Sequence, residues 1–365
     1  MFGPSEMEIN LGPQHPSTHG VLRLKLKLDG ERIVHTDPVI GYLHRGCEKL
    51  GEDRTYLQTM VYTDRMDYVA AFSENLVYIE AVEKLLGVEA PPRAQYMRVV
   101  LAELQRIASH LLWLATHALD IGAMTVFLYT FREREMILDL FEAYCGARLT
   151  LTAVRPGGMY QDFPEGFVDE VRRFCEILPE RIDDYHQLLT TNRIWRERTQ
   201  GVGVIAGDVA LDYGVTGPCL RGSAVDYDIR KAIPYSVYPE LEFDVPLGST
   251  GDTYDRYLCR MEEMRQSRRI ILQALDQMPD GPIQTKVPKR IKPPKGEVYH
   301  VNEGPRGELG VYLISDGTES AYRCRFRSPC FVNLQALPEM AQGHLVADII
   351  ALIGTLDIVL GCIDR

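Results

Sequence analysis

From position 91 to position 122 the chain reads PPRAQYMRVVLAELQRIASHLLWLATHALDIG, and this stretch decides the fold class. Pro91-Pro92 opens a helix, because a proline in the first turn gives up only a donor that would lack a helical partner anyway. Val99, Leu101, Leu104, Ile107, Leu111 and Leu114 then recur at the three- and four-residue steps that line one helical face, as far as Asp120-Ile121-Gly122. Upstream, Leu76, Ile79, Val82 and Leu86 repeat the pattern from Glu74, and Gly87 stops it. Downstream, residues 125–145, 167–189 and 253–278 read as three more long helices, each with a charged outer face. Helices of this length in succession bury their apolar faces against one another, which predicts a large helical bundle.

Both flanks of the bundle read differently. Residues 21–28, V-L-R-L-K-L-K-L, alternate leucine with cation, the two-residue period of a strand with one dry and one wet face. Asp29-Gly30 supplies the turn into a second strand over 31–35, so a β-hairpin is expected. The preceding Gly12-Pro13-Gln14-His15-Pro16-Ser17-Thr18-His19-Gly20 is a shaped loop. Residues 201–252 are rich in Gly, Pro and Tyr and read as a winding surface segment. A basic proline-rich run over 286–295 should be extended and exposed. Strands are expected at 298–301, 310–314 and 322–326, then a last buried helix over 345–360 that accommodates Asp348 and Asp357. The fold class is therefore α+β. The chain divides into a β-rich region with its loop (1–70), a helical core (71–280), a connector (281–297) and a β segment with a final helix (298–365).

Composition narrows the function. A formal charge of −11 is a poor match for a phosphate backbone, so nucleic acid is not an expected partner. The eight cysteines include no CxxC pair, which removes the usual zinc or iron–sulfur clamp, and no GxGxxG follows a strand. Scattered thiols suit a reducing compartment. Residues 1–10 carry acidic side chains and no apolar run, unlike a secretory signal, so a cytoplasmic chain is expected. The most apolar stretches, 110–129 and 345–362, are interrupted by His117 and Asp120, and by Asp348 and Asp357. Neither supplies a membrane helix, so any membrane association is peripheral.

Few residues stand out for chemistry. His15 and His19 are four apart, but Pro16 denies them a helix and no Glu follows the first; they either share a role or simply bond loop carbonyls. His110 and His117 lie about 10 Å apart along one helix, too far to share an ion, and read as structural. Asp120 ends an apolar helix, where an unpaired carboxylate would be costly to bury. It either pairs with a histidine, fixing its tautomer and stabilising its cation, or caps the helix in solvent. Tyr68 is a neutral phenol able to donate to a carbonyl, although 19 tyrosines make any single one an uncertain choice on spacing alone.

The 12–20 loop, Gly41-Tyr42-Leu43-His44-Arg45-Gly46-Cys47-Glu48-Lys49-Leu50, Arg65-Met66-Asp67-Tyr68 and Phe131-Arg132-Glu133-Arg134-Glu135, in this order, resemble the quinone-site subunit family of complex I-type respiratory dehydrogenases, the D-type subunit of bacteria. The likeness runs from about Met7 to Arg365. That family is similar in turn to nickel–iron hydrogenase large subunits, whose metals are held by two CxxC pairs. Here the corresponding positions are Asp67-Tyr68-Val69-Ala70 and Val359-Leu360-Gly361-Cys362, so three of four thiolates are missing.

The resemblance implies a helical core of hydrogenase large-subunit type with flanking antiparallel strands, a quinone as substrate and no metal or flavin on this chain. It places His19 and Tyr68 as ligands of the two quinone carbonyls, Val359 in the quinone pocket and Asp120 as the partner of His19. It implies two-electron, two-proton reduction by a 4Fe-4S cluster in an adjacent subunit, with Arg45 either near that subunit or in a surface ion pair. The implied partners are the cluster-bearing B-type subunit, the C-type and I-type subunits and the H-type membrane subunit, at the cytoplasmic face of the cell membrane. The electron donor would be NADH or ferredoxin, and the reaction would drive proton translocation. The segment between 278 and 298 is shorter than that family's pattern. Two other classes compete: a hydrogenase-like metal enzyme, which the missing thiols disfavour, and a non-catalytic scaffold, which the joint retention of His19, Tyr68 and Asp120 disfavours.

Overall fold

The structure, a computed structural model, describes residues 6–365. Residues 1–5, which begin the stretch read as lacking a secretory signal, lie outside the described residues. Three antiparallel strands open the chain: β1 (Glu6–Leu11), β2 (Arg23–Asp29) and β3 (Arg32–Val39), in sheet order β1-β2-β3. The hairpin forms as its alternation demands, with Asp29 opposite Arg32 across the turn and Gly30 at φ +61°. Leu22, Leu24, Leu26 and Leu28 are buried on one face while Arg23, Lys25 and Lys27 stay on the wetter one. Burying each leucine is worth roughly 1.5–3 kcal/mol, so a one-residue register slip would forfeit all four. Strand β1 had no signature in the sequence reading.

Two short helices, α1 (Cys47–Asp53) and α2 (Tyr56–Thr63), lead to the bundle. There α3 (Ala71–Leu86) ends at a left-handed Gly87, and α4 (Pro92–Asp120) starts at Pro92 and runs for 29 residues. α5 (Met124–Cys145) returns along α4. The two-residue strands β4 (Val154–Arg155) and β5 (Gly158–Met159) precede α6 (Phe167–Leu189). Residues 190–252 hold α7 (Arg193–Thr199), α8 (Gly207–Asp212), α9 (Pro218–Arg221) and α10 (Ile229–Ala232), with no strand. α11 (Thr253–Gln277) then packs against α4 and α6.

Between α4, α9, α10 and α11 lies a buried ionic network. Glu103 accepts from Arg230 at 3.1 Å and from Arg106 at 3.1 Å, and Glu263 accepts from Arg221 at 2.6 Å. Paired and hydrogen-bonded charges of this kind tolerate burial, and they give the winding segment fixed anchors that no periodicity announces. His110 belongs here, 2.8 Å from Glu263, in the structural role its position suggested.

The connector after α11 is irregular and its lysines are exposed, but Ile291 and Pro293 are buried, so it is pinned at two points. A second three-stranded antiparallel sheet follows, β6 (Gly296–Gly304), β7 (Gly307–Ser315) and β8 (Arg323–Arg327), covering α3. The chain closes with α12 (Pro329–Leu334), α13 (Leu337–Ala341), α14 (Asp348–Leu356) and α15 (Leu360–Asp364). The single last helix expected over 345–360 is a correction: it starts at Asp348 and breaks at Asp357, which sits at φ +52°. About half of the chain is helical and the sheets are small and antiparallel, an α+β fold. The leucine face of β2 shares one apolar core with α13, α14 and α15, which brings the first loop against the last residues.

Candidate functional site

The 12–20 loop is held by its backbone. Gly12 is at φ +79°, and a Cβ there would lie 2.1 Å from the Leu22 carbonyl oxygen, so only glycine fits. His15 caps the 3-10 turn of Pro16–Thr18 by accepting the Ser17 N–H on Nδ1 at 3.1 Å; it bonds an N–H and not the carbonyl anticipated for it. The turn ends on His19 in the left-handed region, φ +51°. That conformation aims His19 Nε2 at Asp120 Oδ2, 3.5 Å away, with the two side chains 13% and 14% exposed. This is ion-pair distance, but the alignment does not make a hydrogen bond. Ser17, which sequence reasoning passed over, donates from Oγ to Asp120 Oδ1 at 3.0 Å. Asp120 thus receives one hydroxyl and faces one imidazole at the end of α4.

Tyr68 stands on the short turn between α2 and α3. Its neighbour Asp67 is buried, accepting from the Val69 and Ala70 N–H groups and from Arg306 Nη1 at 2.7 Å. With Asp67 locked inward, Tyr68 faces outward and is 41% exposed. Burial of part of the ring, then the Asp67 charge, push its phenol above the usual value, so it is neutral at pH 7. Tyr68 and Gly20, the residue after His19, approach consecutive residues of the C-terminal turn. A Cβ on Gly361 would lie 3.1 Å from the Tyr68 ring, and a Cβ on Gly20 would lie 3.9 Å from Leu360. Val359, buried, precedes these residues.

Comparison with known proteins decides the family. The sequence pattern described as the respiratory-chain NADH dehydrogenase 49 Kd subunit matches residues 120–293 and 286–365. A protein of Solibacter usitatus, named as the second D-type subunit of its NADH-quinone oxidoreductase, is 59% identical over 361 residues, 99% of this chain and 98% of its own. The D-type subunit of Geotalea uraniireducens is 54% identical over 384 residues, 98% of each chain. The second such subunit of Thermodesulfovibrio yellowstonii is 51% identical over 386 residues, covering 98% of this chain and 96% of its own. The chain belongs to the 49 kDa-subunit family of respiratory-chain NADH dehydrogenase. It is therefore a subunit of an oxidoreductase complex, and its core is of the hydrogenase large-subunit type. Two of the alignments run past the 365 residues of this chain, and the two family-matched stretches meet inside the connector.

In this member of the 49 kDa family the position that the resemblance aligns with a hydrogenase metal site is crowded and acidic. Asp67, Cys330 and Cys362 bring potential ligand atoms within 4.8 Å of one another, all buried. Cys330 is a second thiol that the sequence reading missed, since it comes from α12, far from Cys362 in the chain. These groups do not fit a nickel–iron centre. Two thiols replace four, the Asp67 carboxylate is committed to Arg306, and Cys362 Sγ lies 2.8 Å from Ser328 Oγ and 3.6 Å from Glu74 Oε1. Burial, then Cys362 and Asp67, raise the Glu74 carboxyl well above the usual range, so it is held neutral.

Arg45 spans the same region. Its guanidinium donates to the carbonyls of Arg65 at 2.8 Å and Gly361 at 3.2 Å. Asp364 accepts from the Gly41 and Leu43 N–H groups at 2.8 and 2.7 Å, fastening the C-terminal turn beneath the Arg45 loop. A cavity of about 270 Å³, lined by Glu80, Glu83, Arg98, Tyr235 and His300, lies apart from the His19–Tyr68 region. Its polar walls, already paired as Glu80–His300 and Glu83–Arg98, suit an apolar ring poorly. Among the described residues, no helix is long and apolar enough to cross a membrane.

Proposed function

We propose that this chain holds a quinone headgroup for two-electron, two-proton reduction, with Tyr68 donating to one carbonyl oxygen and the His19 imidazole to the other. The observation that supports the reading is a neutral phenol beside Gly361 together with an imidazole that faces the Asp120 carboxylate, on the loop whose next residue, Gly20, approaches Leu360. Tyr68 and His19 hold and donate the two protons, Asp120 steadies the imidazole, Ser17 steadies Asp120, and Val359 lines the apolar wall. Electrons are supplied by a 4Fe-4S cluster of the adjacent B-type subunit, which docks next to the exposed guanidinium of Arg45.

The chain carries no redox cofactor of its own. The C-type and I-type subunits and the H-type membrane subunit complete the surroundings, at the cytoplasmic face of the membrane, with NADH or ferredoxin as the ultimate donor. Loss of the His19 proton leaves the Asp120 charge without its counterpart, a local electrostatic change able to drive proton pumping in the membrane arm. In this reading residues 1–70 present the site, 71–280 support it, 281–297 connect, and 298–365 close the pocket.

The test is the assembled complex carrying Tyr68→Phe. Quinone reduction should fall at least tenfold while electron transfer to a hydrophilic artificial acceptor is unchanged. Parent-level quinone reduction would contradict the reading and favour a scaffold.

A further inference from the structure

A free thiol in a protein core ordinarily serves as a small apolar filler. Cys330 and Cys362 are placed otherwise. They come from α12 and α15, both are buried, and their sulfurs lie within 4.8 Å of each other and of an Asp67 carboxylate oxygen. Cys362 Sγ is 2.8 Å from Ser328 Oγ and 3.6 Å from Glu74 Oε1. The Arg306 guanidinium, held between Asp67 and Asp357, acts electrostatically on both sulfurs. Two thiols set among carboxyl groups, a hydroxyl and a cation are not filling an apolar gap. A buried thiol is inert where its surroundings are apolar, and these surroundings are not.

The pair adjoins the candidate site. Gly361, which precedes Cys362, is the residue whose Cβ would lie 3.1 Å from the Tyr68 ring, and Cys330 is among the groups that act electrostatically on the Tyr68 phenol. The neighbouring Cys330, then burial, raise the Cys362 thiol well above the ordinary thiol range, so Cys362 keeps its proton at rest. α15 has five residues, and a helix that short opens locally at far less cost than the bundle unfolds, which admits a small reagent.

We propose that Cys330 and Cys362 form a reversible dithiol–disulfide switch, closed by hydrogen peroxide and reopened by a thiol reductant, that slows quinone reduction. Its effect on rate rests on the quinone reading; its sulfur chemistry does not. The Cys330 sulfur attacks one peroxide oxygen, the O–O bond breaks, and the Cys330 proton leaves with the other oxygen as water. The Cys362 sulfur then displaces hydroxide from the sulfenic acid, the S–S bond forms, and the Cys362 proton completes a second water. The two thiols lose two electrons and the peroxide gains them. A reductant reverses the bond by thiol–disulfide exchange. To reach Cys330, the Cys362 sulfur must leave Ser328 and Glu74, and Gly361 beside it shifts against the Tyr68 ring.

The test treats the assembled complex with hydrogen peroxide and reads two things: peptides joined through Cys330 and Cys362, mapped by mass spectrometry without reduction, and the rate of quinone reduction. The parent should yield the joined peptide and slow several-fold, and dithiothreitol should reverse both. Cys330→Ala, at parent rate beforehand, should yield no joined peptide and keep its rate under peroxide. No joined peptide in the parent, a joined peptide with the rate unchanged, or an equal loss of rate in Cys330→Ala would each overturn the switch. Should Cys330→Ala fail to assemble, Cys330→Ser decides by the same two readouts. Untreated Tyr68→Phe runs alongside: if it turns over like the parent, the quinone reading fails, and the joined peptide still decides for or against the thiol pair.

Discussion

Asp67 and Arg306, 239 positions apart, meet in a 2.7 Å ion pair that sets Tyr68 in place. The same guanidinium donates from Nη2 to Asp357 at 3.1 Å, at the left-handed break between α14 and α15. One buried cation therefore fastens both sides of the proposed pocket. Replacing Arg306 with Met would leave Asp67 and Asp357 buried without their cation, a loss of about 3–5 kcal/mol. The yield of assembled complex should fall sharply, which native electrophoresis measures, and Arg306→Lys should recover part of it.

Glu74 predicts a pH dependence. Its carboxyl is raised by burial, so the folded chain keeps a proton that the unfolded chain releases above the ordinary glutamate range. The stability this group contributes is full below that range and is lost as pH rises toward its raised folded value. Glu74→Gln removes the ionisation, so the variant should melt no lower than the parent at pH 8 and show a flatter profile from pH 5 to 8. Parallel profiles for the two proteins would count against a neutral Glu74.

The sequence made the long elements legible because their causes are local. Pro92 and the spacing from Val99 to Leu114 specify α4, leucine alternation specifies the hairpin, and the apolar stripe of α6 gives its bounds. The break at Asp357 escaped because a non-glycine residue at φ +52° is held there by Arg306, a partner 51 positions away. Cys330 beside Cys362, and Ser17 beneath Asp120, escaped for the same reason: contact across the chain leaves no periodic trace. The pairing of Asp120 with a histidine was foreseeable, since a carboxylate ending an apolar helix needs a partner. Which histidine it faces was implied only by family resemblance, and the fold puts His19 there while His110 goes to Glu263.

His19 and Asp120 should behave as one unit. Either His19→Gln or Asp120→Asn should slow quinone reduction by at least tenfold, and the double variant should be little slower than the worse single one. Rates that multiply independently would show that the pair does not work together. Ser17→Ala should cost less than removing either partner, because His19 still faces the carboxylate when the Ser17 hydrogen bond to it, worth about 1.5–3 kcal/mol, is lost.

Gly361→Ala tests the packing beside the phenol. The new Cβ would lie 2.5 Å from the Met66 carbonyl oxygen and 3.1 Å from the Tyr68 ring. The turn must shift, so assembly should persist while the KM for quinone rises several-fold. Kinetics identical to the parent would mean that the Tyr68 ring takes no part in binding.

In the proposed site Tyr68 and His19 grip the two carbonyl oxygens of one quinone. A structure of the assembled complex with quinone bound tests it most directly. One carbonyl should lie within hydrogen-bond distance of the Tyr68 hydroxyl, the other within that distance of the His19 imidazole, and Val359 against the ring. A headgroup bound elsewhere, for example in the cavity of Glu80 and His300, with Tyr68 and His19 both untouched, would contradict it.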